Sequence, residues 1–148
     1  MTTPFEAYQI AVKNGSPVSA ELEECIFTAS NWAYYYSLNI IHGRYLKAES
    51  IILTDPGWSY YYAKNVIKGP WQECEQIILN DVKYTFLYVT NILKRKWDDA
   101  HDILINSEYE VEYKKFIDKI EALSKITECR SKIKILKDEI KLLQKKTI

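Results

Sequence analysis

The sequence is short of the residues that mark several common protein classes. It has only 4 glycines and 4 prolines, too few for a collagen-like or low-complexity chain. Its 3 cysteines, Cys25, Cys74 and Cys129, are odd in number and far apart, so they predict neither a disulfide framework nor a zinc site. The start, MTTPFEAYQ, has no basic region followed by an apolar run, and no run approaches the roughly 18 apolar residues of a membrane span. We therefore expect a reduced, cytoplasmic protein without a signal peptide.

Catalytic motifs and net charge are absent as well. The sequence contains no G-x-S-x-G, no phosphate-binding G-x-x-x-x-G-K-[ST], no H-E-x-x-H and no EF-hand loop. Of the 2 histidines, His42 and His101, the second takes the place of a glutamate in the repeats described below, which indicates a surface substitution. The net charge of 0 argues against wrapping nucleic acid with the whole molecule. We expect a non-enzymatic protein with no cofactor; an enzyme with a site between protomers is supported by no sequence feature.

What the chain has in abundance is aromatic residues, with 12 tyrosines and 4 tryptophans, and they recur at a fixed spacing. The stretch that begins at Gly57 is repeated 26 residues earlier and 26 residues later. The coinciding sets are Trp32, Trp58 and Tyr84; Tyr36, Tyr62 and Tyr88; Asn39, Asn65 and Asn91; and Tyr45, Trp71 and Trp97. A period between about 20 and 50 residues is typical of stacked repeat arrays.

Each repeat is predicted to be a helical hairpin. The expected N-caps of the first helix are Ser30, Asp55, Asp81 and Ser107, the last of them in a capping box with Glu110. Gly43 and Gly69 follow that helix and suit a left-handed residue, whereas Arg95 takes the place in the third repeat and leaves its turn undefined. The second helix begins near Tyr45, Trp71 or Trp97.

These patterns predict an all-α protein, an α-solenoid of short helical hairpins with a period of 26 residues and a long C-terminal helix. Small residues in the first helix of each repeat allow the next repeat to approach closely. They are Ala33, Ser59 and Thr85, followed by Ser37, Ala63 and Val89. We expect a degenerate N-terminal capping repeat over 1–30, three hairpin repeats over 31–108 and the C-terminal helix over 109–148.

The C-terminal helix carries apolar residues at alternating spacings of four and three. They are Ala122, Ile126, Cys129, Ile133, Leu136, Ile140 and Leu143. This is a heptad seam, widened by Ile135 and Leu142. Two interpretations remain open: the helix folds back to cap the solenoid, or it forms a coiled coil that makes an oligomer. The oligomer would use Ile126, Ile133, Leu136, Ile140 and Leu143.

Two recurrent sets of side chains are candidates for binding a partner. The asparagines Asn39, Asn65 and Asn91 either form a structural ladder, bonding the neighbouring repeat's backbone or tyrosine hydroxyl, or line a wall that holds an extended peptide. The aromatic row Tyr34, Tyr60 and Phe86 is either core packing against the second helix or an exposed groove. Solvent exposure of the aromatic row decides between packing and a candidate site.

Charge suggests an alternative partner. Residues 109–148 carry 11 Lys and Arg against 7 Asp and Glu. The basic residues include Lys132, Lys134, Lys137, Lys141, Lys145 and Lys146. A basic helix is usually a solvated face, but it can also bind nucleic acid in a strongly salt-dependent manner.

The strings YYYSLNIIHGRYLKAESIILTDP and YYYAKNVIKGPWQECEQIILND resemble the short tyrosine-rich repeats of large bacteriophages and other large DNA viruses, whose consensus is near YAYxYAxxVIKGRWxEAExxIxxDP. The resemblance covers about residues 31–108, and Val82 and Arg95 depart from it. The resemblance does not assign an activity to any individual residue of this chain. It implies a viral accessory protein in the host cytoplasm that binds another protein and inhibits a host or defence protein.

Overall fold

The computed structural model describes residues 2–146, so the predictions for Met1 and for residues 147–148 lie outside it. Every regular element in this range is helical, which confirms the all-α prediction. The helices are α1 (Pro4–Asn14), α2 (Ala20–Ile26), α3 (Ser30–Tyr36), α4 (Leu46–Ile52), α5 (Pro56–Tyr62), α6 (Glu75–Ile78), α7 (Val82–Tyr88), α8 (Asp98–Ile105) and α9 (Glu110–Lys146). A 3-10 turn, Gln72–Cys74, precedes α6.

The first helix of each full repeat ends in a π-helical turn. These turns are Ser37–Ile41, Ala63–Ile67 and Val89–Leu93. Each is followed by a residue with positive φ: His42 at 57°, Lys68 at 62° and Lys94 at 52°. The prediction of left-handed glycines at Gly43 and Gly69 is therefore wrong, because neither has a positive φ.

The wider π turn explains why the left-handed residue lies one position before the expected glycine. The backbone N–H groups of His42 and Gly43 both reach the carbonyl oxygen of Ser37, the second at 3.1 Å. This closure places the left-handed residue directly before the glycine. Arg95 does not alter the third turn, because Lys94 has the same left-handed conformation as its counterparts.

Two of the four predicted N-caps are confirmed. The carboxylates of Asp55 and Asp81 accept hydrogen bonds from the N–H groups of Trp58 at 2.9 Å and Tyr84 at 3.1 Å. The Ser30 cap is wrong: Ala29 takes the cap position, and no side chain bonds the free N–H groups there.

The predicted Ser107 capping box is also wrong. α9 begins at Glu110, three residues after the serine, and the Ser107 hydroxyl accepts from the N–H of Tyr109 at 3.1 Å. The hydroxyl also donates to the carbonyl oxygen of Leu104 at 2.8 Å. Ser107 therefore stabilises the turn after α8, and it does not cap the first turn of α9.

The core lies where consecutive helices meet. α3 contacts α1 and α5, α5 contacts α7, and α2, α4, α6 and α8 each pack against the helix before them. The small residues at the facing positions are fully buried, and they are Ala33, Ser37, Ser59, Ala63, Thr85 and Val89. Small side chains let helix backbones approach closely, so the spacing of these residues determines how neighbouring repeats pack.

The long C-terminal helix has two parts. Tyr113 of α9 is fully buried, and Phe116 and Ile117 pack against the core. From residue 121 to residue 145 every side chain is exposed. At about 1.5 Å of rise per residue, this exposed second part extends for some 35–40 Å.

Candidate partner-binding surface

The recurrent asparagines form a ladder between repeats. The Nδ2 atom of each donates to a tyrosine hydroxyl in the preceding repeat: Asn39 to Tyr8 at 2.9 Å, Asn65 to Tyr34 at 2.8 Å and Asn91 to Tyr60 at 3.0 Å. The structural interpretation of the asparagines is confirmed by these bonds. Tyr8 takes the place of Tyr34 one repeat earlier, so α1 belongs to the same array.

The aromatic row packs against the next repeat along the chain. Tyr34 and Tyr60 are only 5% and 2% exposed. Their ring centroids lie 5.4 Å from that of Trp58 and 5.8 Å from that of Tyr84, respectively. Phe86 continues the series by stacking on Tyr109 at 4.8 Å with the ring planes 15° apart.

This burial limits what the predicted partner-binding residues offer to another molecule. Tyr34 and Tyr60 present little ring surface, and the amides of Asn65 and Asn91 are already bonded to their hydroxyls. Partner binding by Tyr34, Tyr60, Phe86, Asn39, Asn65 and Asn91 stays a prediction. An exposed apolar surface elsewhere in the chain is a better candidate.

The sequence analysis missed a buried polar network centred on Glu23 and Glu49. Glu49 is 7% exposed, and its Oε1 atom accepts from the Tyr62 hydroxyl at 3.0 Å and from Arg44 Nε at 2.7 Å. Glu23 accepts from the hydroxyls of Tyr36 and Tyr45, both at 2.9 Å. A buried carboxylate requires such partners, because an unpaired one would be costly to desolvate.

The tyrosines of this network also hold the chain before the second helix of each hairpin. The hydroxyls of Tyr62 and Tyr88 accept from the N–H groups of Tyr45 and Trp71, in both cases at 2.8 Å. Burial raises the pKa of Tyr62 to about 12, so its hydroxyl stays protonated at neutral pH and donates to Glu49. The network therefore joins the second helix of one repeat to the first helix of the next.

His101 belongs to the same row and is not a surface substitution, so that prediction is wrong. It occupies the position of Glu49 two repeats later, and its Nδ1 atom lies 3.1 Å from the Tyr113 hydroxyl. Glu75, in the repeat between them, has a pKa raised by burial, an effect that Arg95 and a hydrogen bond with Tyr88 partly offset. A signal was available in the sequence: a tyrosine follows each of Glu23 and Glu49 by 13 residues.

Two equivalent clefts lie between neighbouring repeats. The first is lined by Leu38, His42, Gly43, Asn65, Val66 and Lys68, and has a volume of about 240 Å³. The second has a volume of about 190 Å³ and is lined by the residues 26 positions later, Lys64, Lys68, Gly69, Asn91, Ile92 and Lys94. Both are smaller than the roughly 300–1,000 Å³ of typical small-molecule sites. They are shallow grooves at the repeat boundaries and show no convergent catalytic groups.

The heptad seam of α9 is an exposed apolar surface. Its side chains Ile126, Ile133, Leu136 and Ile140 are between 47% and 56% exposed, and Leu143 is 64% exposed. All five are on one side of a helix that protrudes from the body. The side chains of the predicted oligomerisation residues are therefore accessible to another molecule.

Charged residues flank the seam unequally. Arg130, Lys134, Lys137 and Lys141 follow one another at spacings of four, three and four, which places them in a stripe beside the apolar residues. Lys132, on the other flank, pairs with Glu128 at 2.7 Å, and both side chains are exposed. Lys145 is exposed, and the side chain of Lys146 lies outside the part that the structure describes.

No family model, curated protein or solved structure matches the chain. Within residues 2–146, no group of three or more His, Cys, Asp or Glu side chains is arranged to hold a metal ion. None of the helices described above is long and apolar enough to cross a membrane.

Proposed function

We propose that this protein is a non-enzymatic protein-binding module that engages its partner through the exposed segment 121–145 of α9. The observation that carries the proposal is an apolar seam, half exposed at Ile126, Ile133, Leu136 and Ile140, on a helix that contributes nothing to the core after residue 120. Exposed apolar residues at heptad spacing are costly in water and are the usual binding face for another helix.

We further propose that the body is an α-solenoid that supports this helix. The support for it is the repeated set of contacts between neighbours: each of Asn39, Asn65 and Asn91 bonds a tyrosine of the preceding repeat. In such an array each repeat supplies the apolar wall that its neighbour lacks. Because the polar groups of the body are largely paired internally, we assign the binding role to α9 rather than to the repeats.

The biological setting follows from the resemblance of residues 31–108 to the repeats of large bacteriophages and other DNA viruses. On that basis the protein is a viral accessory protein that acts in the host cytoplasm. Its partner is a host or defence protein, which it inhibits by occupying a helical surface. This part of the proposal rests on the resemblance alone.

A matched pair of variants tests the proposal. Ile133→Asp combined with Ile140→Asp places charge in the seam, and Ser124→Asp combined with Ser131→Asp places the same charge on the opposite face of α9. Tagged unmodified protein and both variants are used to capture proteins from host lysate, with quantification by mass spectrometry. We expect a partner that the unmodified protein and the serine variant retain equally and that the seam variant loses by at least about tenfold.

The four tryptophans lie in the body, so their fluorescence shows whether each variant is folded. If both variants are folded and capture the same proteins as the unmodified chain, the seam is not the binding surface and the proposal is wrong.

A second candidate function is nucleic-acid binding, favoured by the stripe of Arg130, Lys134, Lys137 and Lys141. Phosphate contacts by such a stripe would make affinity fall steeply with salt. Binding of labelled single- and double-stranded DNA is measured between about 50 and 200 mM salt, a range over which several phosphate contacts lower affinity by orders of magnitude. Absent or salt-insensitive binding removes this candidate.

A further inference from the structure

We infer that the seam of α9 binds an acidic helix of another protein, and does not pair with a second copy of this chain. The inference rests on the proposed function, which assigns partner binding to the same segment. It adds the chemistry of the partner: a helix with apolar residues at the two seam positions of each heptad, and Asp or Glu at the positions that flank them.

The spacing of the apolar residues assigns a heptad position to each residue of the exposed segment. Ile126, Ile133 and Ile140 occupy the a positions, and Cys129 and Leu136 occupy d positions between them. In a coiled coil the e and g positions lie beside this seam and face the partner helix. Their charges therefore determine which partner the seam accepts.

The flanking positions of this segment are mostly basic. Arg130 and Lys137 are at e, and Lys125 and Lys132 are at g. The exceptions are Glu139 at g and the uncharged Leu123 and Gln144 at e. None of these charged groups is buried, and among residues 2–145 the ion pair that involves them is the exposed contact between Lys132 and Glu128. The basic groups at e and g are thus free to approach a partner helix.

A parallel pair of identical helices brings like charges together. In that arrangement each g residue faces the e residue five positions later on the other helix. Lys125 would face Arg130 of the second copy, and Lys132 would face its Lys137. Glu139 would face the neutral Gln144, so no attractive pair compensates.

Antiparallel pairs of identical helices gain no net attraction from the flanking charges. The alignment that places Ile133 against Cys129 of the other copy sets Arg130 and Lys132 each against its own counterpart, and the two contacts between Lys125 and Glu139 only offset this repulsion. The alignment that places Ile133 against Leu136 sets Arg130 against Lys137 twice, and the two contacts between Lys132 and Glu139 only offset them. Alanine and cysteine at two of the d positions also reduce the apolar surface that two copies would bury against each other.

An acidic partner helix converts the same positions into attractive pairs. Carboxylates at its e and g positions would meet Arg130, Lys137, Lys125 and Lys132 in either orientation. The neighbouring Lys134 and Lys141 add positive potential on the same flank. Ile135 and Leu142 widen the apolar face beyond the seam, so binding to a lipid surface is the competing outcome of the test.

The test uses the full-length protein and two synthetic helical peptides of about four heptads. Both peptides have Ile at a and Leu at d; one has Glu at every e and g position, and the other has Lys. Binding of each labelled peptide is measured by fluorescence anisotropy, and the mass of the protein alone is measured by sedimentation. We expect a monomer that binds the Glu peptide at least about tenfold more tightly than the Lys peptide.

Charge-reversal variants separate seam pairing from general attraction. Arg130→Glu combined with Lys137→Glu should reverse the preference between the peptides. The control, Lys134→Glu combined with Lys141→Glu, makes the same change in net charge at positions farther from the seam and should keep the preference for the Glu peptide.

Four results would overturn the inference: equal binding of the two peptides, binding of neither, a dimer of the protein alone that the Ile133→Asp variant abolishes, or binding of vesicles of phosphatidylcholine and phosphatidylserine without binding of the Glu peptide. If one of these occurs while the seam variant still loses a partner from host lysate, the inference fails and the proposed function survives. If the lysate partner is retained as well, both fail.

Discussion

Asn65 donates a hydrogen bond from Nδ2 to the hydroxyl of Tyr34, 31 residues earlier in the chain, with 2.8 Å between the two atoms. The same bond joins Asn91 to Tyr60. It is therefore a property of the repeat, and it connects one repeat to the next. Burial raises the pKa of Tyr34, and the bond from Asn65 lowers it in part.

Removing either partner of this bond should destabilise the body. We expect Asn65→Ala and Tyr34→Phe each to lower the free energy of unfolding by about 1 kcal/mol, because a part-buried polar group loses its partner. The double variant should cost less than the sum of the single variants, with a coupling of about 0.5–1 kcal/mol. Urea denaturation followed by tryptophan fluorescence measures all three.

Asn80→Ala is the matched control for that cycle. Asn80 is exposed, and its amide bonds only the carbonyl oxygen of Gln76 in its own repeat, at 3.2 Å. We expect a change within about 0.5 kcal/mol. Equal losses for Asn80→Ala and Asn65→Ala, with no coupling to Tyr34, would show that the ladder does not join the repeats.

Substitution by glutamine should change the free energy of unfolding in opposite directions at Glu49 and Glu75. Glu49→Gln removes the charge that pairs with Arg44 at 2.7 Å, and we expect a loss of about 1–2 kcal/mol at neutral pH. Burial holds the pKa of Glu75 above its usual value, so the folded state disfavours the ionised carboxylate. Glu75→Gln should therefore raise stability at neutral pH.

The pH dependence checks the Glu75 result. The destabilisation is fully present above the raised pKa of the folded state and disappears below the ordinary pKa near 4.5, where both states are protonated. The gain from Glu75→Gln should thus be largest at pH 7 and vanish near pH 4. Urea unfolding at the two pH values measures it, and a loss of stability at pH 7 would contradict the burial argument.

Two glycines distinguish the observed turn from the one that the sequence suggested. Gly15 has a φ of 62°, so Gly15→Ala should cost about 1 kcal/mol. Gly69 has no positive φ, and a Cβ there meets nothing within 4 Å. Gly69→Ala should be neutral or slightly stabilising, by up to about 0.5 kcal/mol. Thermal unfolding of both variants is the measurement. A loss of stability for Gly69→Ala equal to that for Gly15→Ala would indicate that Gly69 has a left-handed conformation after all.

The sequence predicted features that depend on residues close together in the chain. The caps Asp55 and Asp81 and the second-helix start at Trp97 follow from local hydrogen-bonding and helix rules, and the structure confirms them. The buried position of Thr85 follows from the same repeat pattern.

Features that depend on distant partners were harder to predict. Glu49 looks like an exposed residue that favours the start of a helix, and its burial depends on Tyr62, which lies 13 residues away. The left-handed residue Lys68 depends on a π turn, which no residue propensity specifies. The burial of the aromatic row could not be predicted either, because the spacing that places Tyr34 in the core also fits an exposed groove.

Truncation after residue 120 is the most direct test of the account, because it separates the body from the exposed segment 121–145. No side chain of that segment is buried, and the four tryptophans report on the body alone. We expect the truncated protein to unfold in urea with the same free energy, within about 0.5 kcal/mol, and to lose binding of the acidic helix peptide and of the lysate partner. A loss of several kcal/mol would mean that the segment folds back as a cap, and retained partner binding would place the binding surface on the repeats; either result would contradict the account.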